Sequence, residues 1–318
     1  MPQLVYYPDD QPGISRRKCG RGFRYIGPDG TAIDDQTERQ RLAALAVPPA
    51  YDDVWMCPLP NGHLLATGRD ARQRKQYRYH PDWTSERAKT KFDMLADFGR
   101  RLPRIRRRVR RDLAGDAGAK RFALASAVTL IDRAALRVGS DEYVRENGSY
   151  GALTLRRRHV SLRGNRIKLD YTAKGGKRVR KQIADRTLAR MLNKIGDLPG
   201  ASLLTWLDDD GAPRTLSSQA LNAYIASAAG RDEVTAKTFR TWAGTLAAFE
   251  VAQAGPTTIK ELSNAAARRL HNTPSIARDS YIHPEVIALA RGGRSIPDPV
   301  ELRDLRAAEQ HLLGLLDR

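Results

Sequence analysis

Four side chains between positions 137 and 281 of this 318-residue chain are of the types that phosphoryl transfer uses when no metal is at hand. Arg137 and Arg240 offer planar guanidinium forks that match the non-bridging oxygens of a phosphate. Lys174 offers an ammonium that can protonate a leaving oxygen, and Tyr281 offers a phenol oxygen as in-line nucleophile. Their settings are Arg137-Val138-Gly139, Lys174-Gly175-Gly176-Lys177, Lys237-Thr-Phe-Arg240-Thr-Trp and Ala-Arg-Asp-Ser-Tyr281-Ile-His-Pro. Taken singly, each also reads as a surface ion pair, a turn residue or a core-edge tyrosine. With 55 Lys and Arg and 11 Tyr, composition does not choose among them.

Other chemistries lack their residues. The histidines, at 63, 80, 159, 271, 283 and 311, form no His-x-x-x-His or Cys/His pair at metal-ligand spacing. Acidic residues are not clustered as a two-metal nuclease requires. Gly176-Lys177 is followed by Arg178, with Tyr171 where a phosphate-binding loop needs its first glycine. No G-x-S-x-G elbow is present. The expectation is an activity with no cofactor, metal or nucleotide.

The charge balance names the partner. The formal net charge is +19, and such self-repulsion points to a polyanion, nucleic acid before membrane. Arg156 to Arg190 holds 13 Lys and Arg against two Asp, a net of +11, and Arg100 to Arg111 holds eight arginines. The second run alone reads as a solvated helix face; two runs in one chain favour a polyanion. No apolar run approaches the roughly 18 to 20 residues of a spanning helix. The N-terminal MPQLVYYPDD lacks the apolar stretch of a secretory signal. The two cysteines, Cys19 and Cys57, make no disulfide framework. A cytoplasmic, nucleoid-associated home is expected.

The elements that must position these groups follow from periodicity, and the fold class is α+β. Residues 1–82 read as a small β-rich domain of short strands and turns, with a hairpin around Pro60-Asn61-Gly62. One helix is expected from Asp35 to Ala46, capped by Asp35 and Glu38. Residues 83–318 read as a larger, mostly helical domain. Phe92, Leu95, Phe98, Leu102, Ile105 and Val109 mark a helix that Pro103 should kink or break. Leu124, Val128 and Ile131 mark another, running to Arg137-Val138 and stopped by Gly139. Apolar alternation at Val160 and Leu162, at Ile167, Leu169 and Tyr171, then at Val179 and Ile183 predicts a three-stranded insert. It turns at Arg163-Gly164-Asn165 and Lys174-Gly175-Gly176-Lys177. Helical patterns resume over 188–195, 217–228, 239–251 and 257–270, and two more follow Pro284.

Order and context change the weight of the four residues. Arg-Val-Gly after an amphipathic helix, Lys in a glycine-rich β-turn, K-x-x-R opening a helix and a Tyr nine residues after a polar pair together resemble the type IB DNA topoisomerases. The match is closest to the compact poxvirus-like and bacterial branch and covers nearly the whole chain. The stretch Gly68-Arg-Asp-Ala-Arg-Gln-Arg-Lys75-Gln76-Tyr77-Arg-Tyr79 is similar to that family's DNA-contacting segment.

The resemblance implies a monomeric C-shaped clamp on double-stranded DNA. In it, Tyr281 attacks a backbone phosphodiester, leaving a 3′-phosphotyrosyl link and a 5′-hydroxyl. Arg137 and Arg240 hold the non-bridging oxygens, Lys174 protonates the 5′ oxygen, the cut strand swivels, and religation reverses the step. Neither ATP nor metal is then required. The family commonly has histidine nine residues before the nucleophile; here that position is Asn272, preceded by His271. Asn272 is expected to donate its amide to the phosphate, because a one-residue slip rotates a side chain by about 100° on a helix. Gln76, Tyr77 and Tyr79 are DNA-contact candidates by resemblance, and Tyr143 is a further one. Two other readings remain. A tyrosine recombinase shares this chemistry, but its second arginine usually sits in H-x-x-R rather than Lys237-x-x-Arg240. A non-catalytic basic DNA-binding protein would need only the charge.

Overall fold

The computed structural model describes residues 3–196, 198–292 and 296–317. By contacts, the chain divides into two units, Met1–Thr90 and Lys91–Arg318. The division falls inside a helix, eight residues beyond the cut at 82/83 that periodicity suggests.

The first unit is built on one antiparallel sheet. Its strands are β1 (Ile14–Cys19), β2 (Gly22–Ile26), β3 (Asp52–Met56), β4 (Leu64–Arg69) and β5 (Lys75–Tyr79), in the order β2-β1-β3-β4-β5. Between β2 and β3, α1 (Gln36–Ala44) starts at Asp35, whose carboxylate accepts from the amides of Thr37 and Glu38. Glu38 does not return the capping contact and pairs with Arg41 instead. Ile14, Tyr25, Leu42, Val54, Met56 and Ala66 form the core. β5 is an edge strand, open along one side.

The second unit is helical. α2 (Pro81–Asp112) is followed by α3 (Lys120–Ala134) and the short α4 (Asp141–Asn147). Of the two outcomes expected at Pro103, a break does not occur: the proline neither ends nor divides α2. A proline inside a helix costs about 3 kcal/mol. Leu95, Phe98, Leu102, Ile105 and Val109 are buried on both sides of it, each contributing about 1.5–3 kcal/mol, and the stripe prevails. The expected insert follows as the meander β6 (Val160–Arg163), β7 (Arg166–Ala173) and β8 (Lys177–Ala184).

Beyond it come α5 (Arg186–Lys194), a two-strand ribbon β9 (Trp206–Leu207) and β10 (Pro213–Arg214), α6 (Ser218–Ala229) and α7 (Ala236–Gln253). The chain continues through α8 (Ile259–Leu270), α9 (Pro274–Tyr281), α10 (Pro284–Leu289) and α11 (Ala307–Leu316). A buried charge cluster ties α2, α3 and α11 together. Arg106 donates to both oxygens of Asp132 and both of Glu309, at 2.8–3.0 Å. The indole of Trp242, on α7, donates to the same Glu309 at 3.3 Å. Such a cluster favours one packing arrangement over others, and it fixes α7, the helix that carries Arg240. No described helix is long and apolar enough to cross a membrane.

Candidate active site

Arg137 does not end a helix. α3 stops at Ala134, and Ala135 takes the left-handed conformation at φ 53°. The chain from Leu136 to Gly139 then lies outside helix and strand against the next turn, where Ala152 and Leu153 amides donate to the Arg137 and Val138 carbonyls at 2.8 Å. Gly139, at φ +84°, has no room for a side chain, since a Cβ would meet Gly151 at 2.8 Å. This seat points the Arg137 guanidinium to the amide oxygen of Asn272, to which it donates.

Arg240 is buried, at 5% exposure, in the first turns of α7. One of its terminal nitrogens donates to the Ala135 carbonyl and the other to that of Leu270, the latter at 3.2 Å. Its Nε is enclosed without a partner. The guanidinium carbon stands 5.4 Å from the centroid of the Tyr281 ring. Burial holds the Arg240 pKa below the usual arginine value; the nearby Arg137 charge adds to this, and Tyr281 opposes it. Among the described residues, both guanidiniums bond to amide and carbonyl oxygens and not to carboxylates. Two like charges gathered without a counter-charge make an anion site.

Tyr281 is the last residue of α9, and its ring packs on Ala135, Ala243 and Leu270. The helix is seated by close contact with α7. A Cβ on Gly244 would lie 2.8 Å from the Tyr281 carbonyl oxygen and 2.9 Å from its Cβ. Next to it, the Thr245 hydroxyl donates to that carbonyl at 3.0 Å and accepts from the His283 amide at 3.1 Å. From α2, the Lys91 ammonium donates to the Ser280 carbonyl at 3.0 Å. Burial, with Lys237 nearby, pulls its pKa down to about 8.

Asn272 and His271 lie off the helices, so the 100° rotation argument does not apply. His271 caps α8 in the left-handed region, at φ 52°, and the Asn272 amide returns to the Ala267 carbonyl at 3.1 Å. The Asn272 side chain accepts from Arg137, while its Nδ2 is buried with no partner. His271 Nε2 is buried and unpartnered as well. Its pKa falls to about 4, first through burial and then through Lys181, Arg137, Arg240 and Arg269. Both residues line an open concavity of about 520 Å³ together with Lys177, Arg178 and Arg268.

Lys174 stands apart from this group. It opens a single tight turn between β7 and β8, is exposed, and its Nζ lies 5.4 Å from the ring centroid of Tyr143 on α4. The structure therefore joins Arg137, Arg240, Asn272 and Tyr281 directly and pairs Lys174 with Tyr143. A residue that periodicity gives only as a core position joins the first group. Tyr171, buried on β7, feels both Arg240 and Arg137, yet burial pushes its phenol up to about 12.

The remaining candidates lie in the first unit, on β5. Tyr77 and Tyr79 are 52% and 43% exposed, their rings stacked with centroids 6.1 Å apart. Tyr79 thus does not pack beneath the strand. Gln76 points to the other face and donates from Nε2 to Asp70 at 3.0 Å. Arg74, hydrogen-bonded to Asp70 through its side chain, holds that carboxyl down at about 2. Gln76 keeps its carbonyl oxygen and one further N–H for another partner.

Two family models and a viral relative match the chain. The family described as eukaryotic DNA topoisomerase I, catalytic core, matches residues 74–273. The bacterial DNA topoisomerase IB N-terminal domain matches residues 22–70. A protein of Acanthamoeba polyphaga mimivirus named DNA topoisomerase 1B is 28% identical over 326 residues, covering 95% of this chain and 97% of the viral one. The chain, matched over most of its length in this way, is a DNA-acting isomerase and belongs to the type IB DNA topoisomerase family.

Proposed function

We propose that the chain relaxes supercoiled duplex DNA by transient cleavage of one strand through Tyr281. One observation carries the reading: Arg240 stands beside the Tyr281 ring with the Arg137 charge near it, and among the described residues neither guanidinium pairs with a carboxylate, a setting that suits a phosphate. The phenol oxygen, giving up its proton to solvent, attacks phosphorus, the bond to the 5′ oxygen breaks, and Lys174 gives that oxygen a proton that solvent then restores to the amine. The two guanidiniums and the Asn272 amide N–H hold the non-bridging oxygens as charge builds on them. The 3′-phosphotyrosyl link stores the phosphodiester energy while the free end swivels, so religation needs neither nucleotide nor metal. All five groups come from one chain, which acts as a monomer. Tyr77, Tyr79, Gln76 and Tyr143 contact the duplex. Plasmid relaxation in EDTA without ATP tests this; dependence on either ATP or a divalent cation would overturn it.

The site assigns unequal roles to its two neighbours. Asn272→Ala removes a phosphate donor and the acceptor that holds Arg137. Hydrogen bonds to charged groups contribute about 1.5–3 kcal/mol, so single-turnover cleavage should slow by roughly 10- to 100-fold. His271→Ala should stay within about threefold of wild type, because a histidine whose pKa is about 4 is neutral over the assay range. For the same reason His271→Ala should leave the pH dependence of the wild-type rate unchanged between about pH 5 and 8. Stability carries the opposite sign. The unfolded chain binds a proton at His271 below about pH 6.5 that the folded chain refuses until about 4, so stability falls as the pH drops through that window. A large loss in His271→Ala with Asn272→Ala near normal would exchange the two roles.

A further inference from the structure

Lys181 is a lysine on the wrong face of a strand. It pairs with Leu169 and shares the inner side of β8 with Val179 and Ile183, in a meander whose other inward positions include Ile167, Leu169 and Ala173. Its ammonium donates to two main-chain oxygens: Ala134, the last residue of α3, and Arg269, next to last in α8, the latter at 2.8 Å. Carbonyls in the last turn of a helix have no intrahelical partner and carry the negative end of the helix dipole. One cation therefore serves two helix ends at once. Three residues beyond Ala134 is Arg137, three beyond Arg269 is Asn272, and these two are bonded to each other.

Arg240 makes the neighbouring bridge, one residue further along both helices, from Ala135 to Leu270. A third lies one residue back, where Arg269 donates to the Arg133 carbonyl at 3.0 Å. Of the three bridging cations, only Lys181 can lose its charge at neutral pH. The charged and titratable groups facing it are Arg269 on α8, Arg240 on α7 and His271 after α8. Among the described residues no carboxylate pairs with it. Burial, then Arg269 and Arg240, pull its pKa down to about 7.

We propose that Lys181 is a positioning residue for strand cleavage: by drawing the ends of α3 and α8 together, it sets the separation at which Arg137 and Asn272 meet the phosphate. The inference rests on reading the site as a tyrosine strand transferase. Lys181 touches no substrate in this account. It acts through the two helix ends, and a misplacement of about 1 Å at a reacting site costs on the order of 100-fold in rate.

The test compares wild type, Lys181→Met and Lys181→Arg by duplex affinity, thermal melting and single-turnover cleavage from about pH 6 to 8.5. Lys181→Met keeps the aliphatic stem and removes the charge. It should bind duplex within about twofold of wild type and cleave roughly 10- to 100-fold more slowly at pH 6. The gap should narrow above pH 7, where the wild-type ammonium is itself losing its proton. Lys181→Arg, charged throughout, should recover most of the rate at pH 6 and lose less than wild type above pH 7. Lys181→Met cleaving at the wild-type rate would overturn the proposal. So would a loss that is constant with pH and not restored by arginine, since packing alone would give that. Should Lys181→Met fail to melt cooperatively, the arginine variant decides: a pH dependence identical to wild type contradicts the proposal. A wild-type chain that forms no covalent adduct would overturn the strand-transfer reading itself, before any Lys181 variant is compared.

Discussion

Tyr281→Phe should bind duplex DNA as wild type does, yet neither relax a supercoiled plasmid nor form a covalent adduct. Phenylalanine keeps the ring that packs on Ala135, Ala243 and Leu270, and it keeps the backbone contacts with Thr245 and Lys91's bond to Ser280. What it removes is the one oxygen proposed to attack phosphorus. The structure also says where residual activity would have to come from. Tyr171 is a phenol influenced by both site arginines, and it is 3% exposed with its pKa pushed up to about 12. A phenol so enclosed and so reluctant to ionise is a poor nucleophile. If Tyr281→Phe retains measurable cleavage and Tyr171→Phe in that background abolishes it, the assignment of Tyr281 fails.

Lys174→Ala should slow cleavage of ordinary DNA by about 100- to 10,000-fold, the range a positioned proton donor contributes. Its effect should vanish on a substrate whose 5′-bridging oxygen is replaced by sulfur, because a thiolate leaves without protonation. The placement at the tip of the β7–β8 turn suits a donor that reaches the leaving group only when DNA is bound. In the free chain the ammonium rests 5.4 Å from the Tyr143 ring, a contact worth about 0.5–1 kcal/mol at an exposed site. A side chain held by so small a contact can be delivered at little cost. Failure of sulfur to restore the rate would make Lys174 a DNA-positioning residue and leave the proton donor unassigned.

The meander was legible because two signals coincide at each of its features: period-two apolar residues along Ile167, Leu169 and Tyr171, and glycines at both turns. The helices after it were legible from their apolar patterns, and the structure adds the caps of two of them. Ser217 and Asp185 accept from the amides of Ala220 and Leu188, as residues of those types do at helix starts. The end of α3 was not legible. Alanine is no left-handed stop, and Ala135 adopts that conformation where Arg240, 105 residues away, caps its carbonyl. The continuity of α2 through Pro103 was hidden for a like reason, since the compensation lies in packing partners and not in the local sequence.

The candidate site divides in the same way. Arg137, Arg240 and Tyr281 can be named from their motifs, but their approach depends on how α3, α7, α8 and α9 meet. Lys181 was open to view as the polar member of an inward-facing row. In a segment with a net charge of +11, nothing else in the sequence sets it apart from the basic residues around it. Gly244 gave no signal at all: its role appears only when the Tyr281 backbone is found where a Cβ would be.

The central claim is that Tyr281 becomes covalently joined to DNA. It is tested most directly by stopping a wild-type relaxation reaction with denaturant, digesting the protein and identifying the DNA-linked peptide by mass spectrometry. A phosphotyrosine at Tyr281 joined to the 3′ end of the cut strand is expected, with a free 5′-hydroxyl on the other side of the break. Linkage through another residue, linkage to a 5′ end, or relaxation with no covalent species would contradict it.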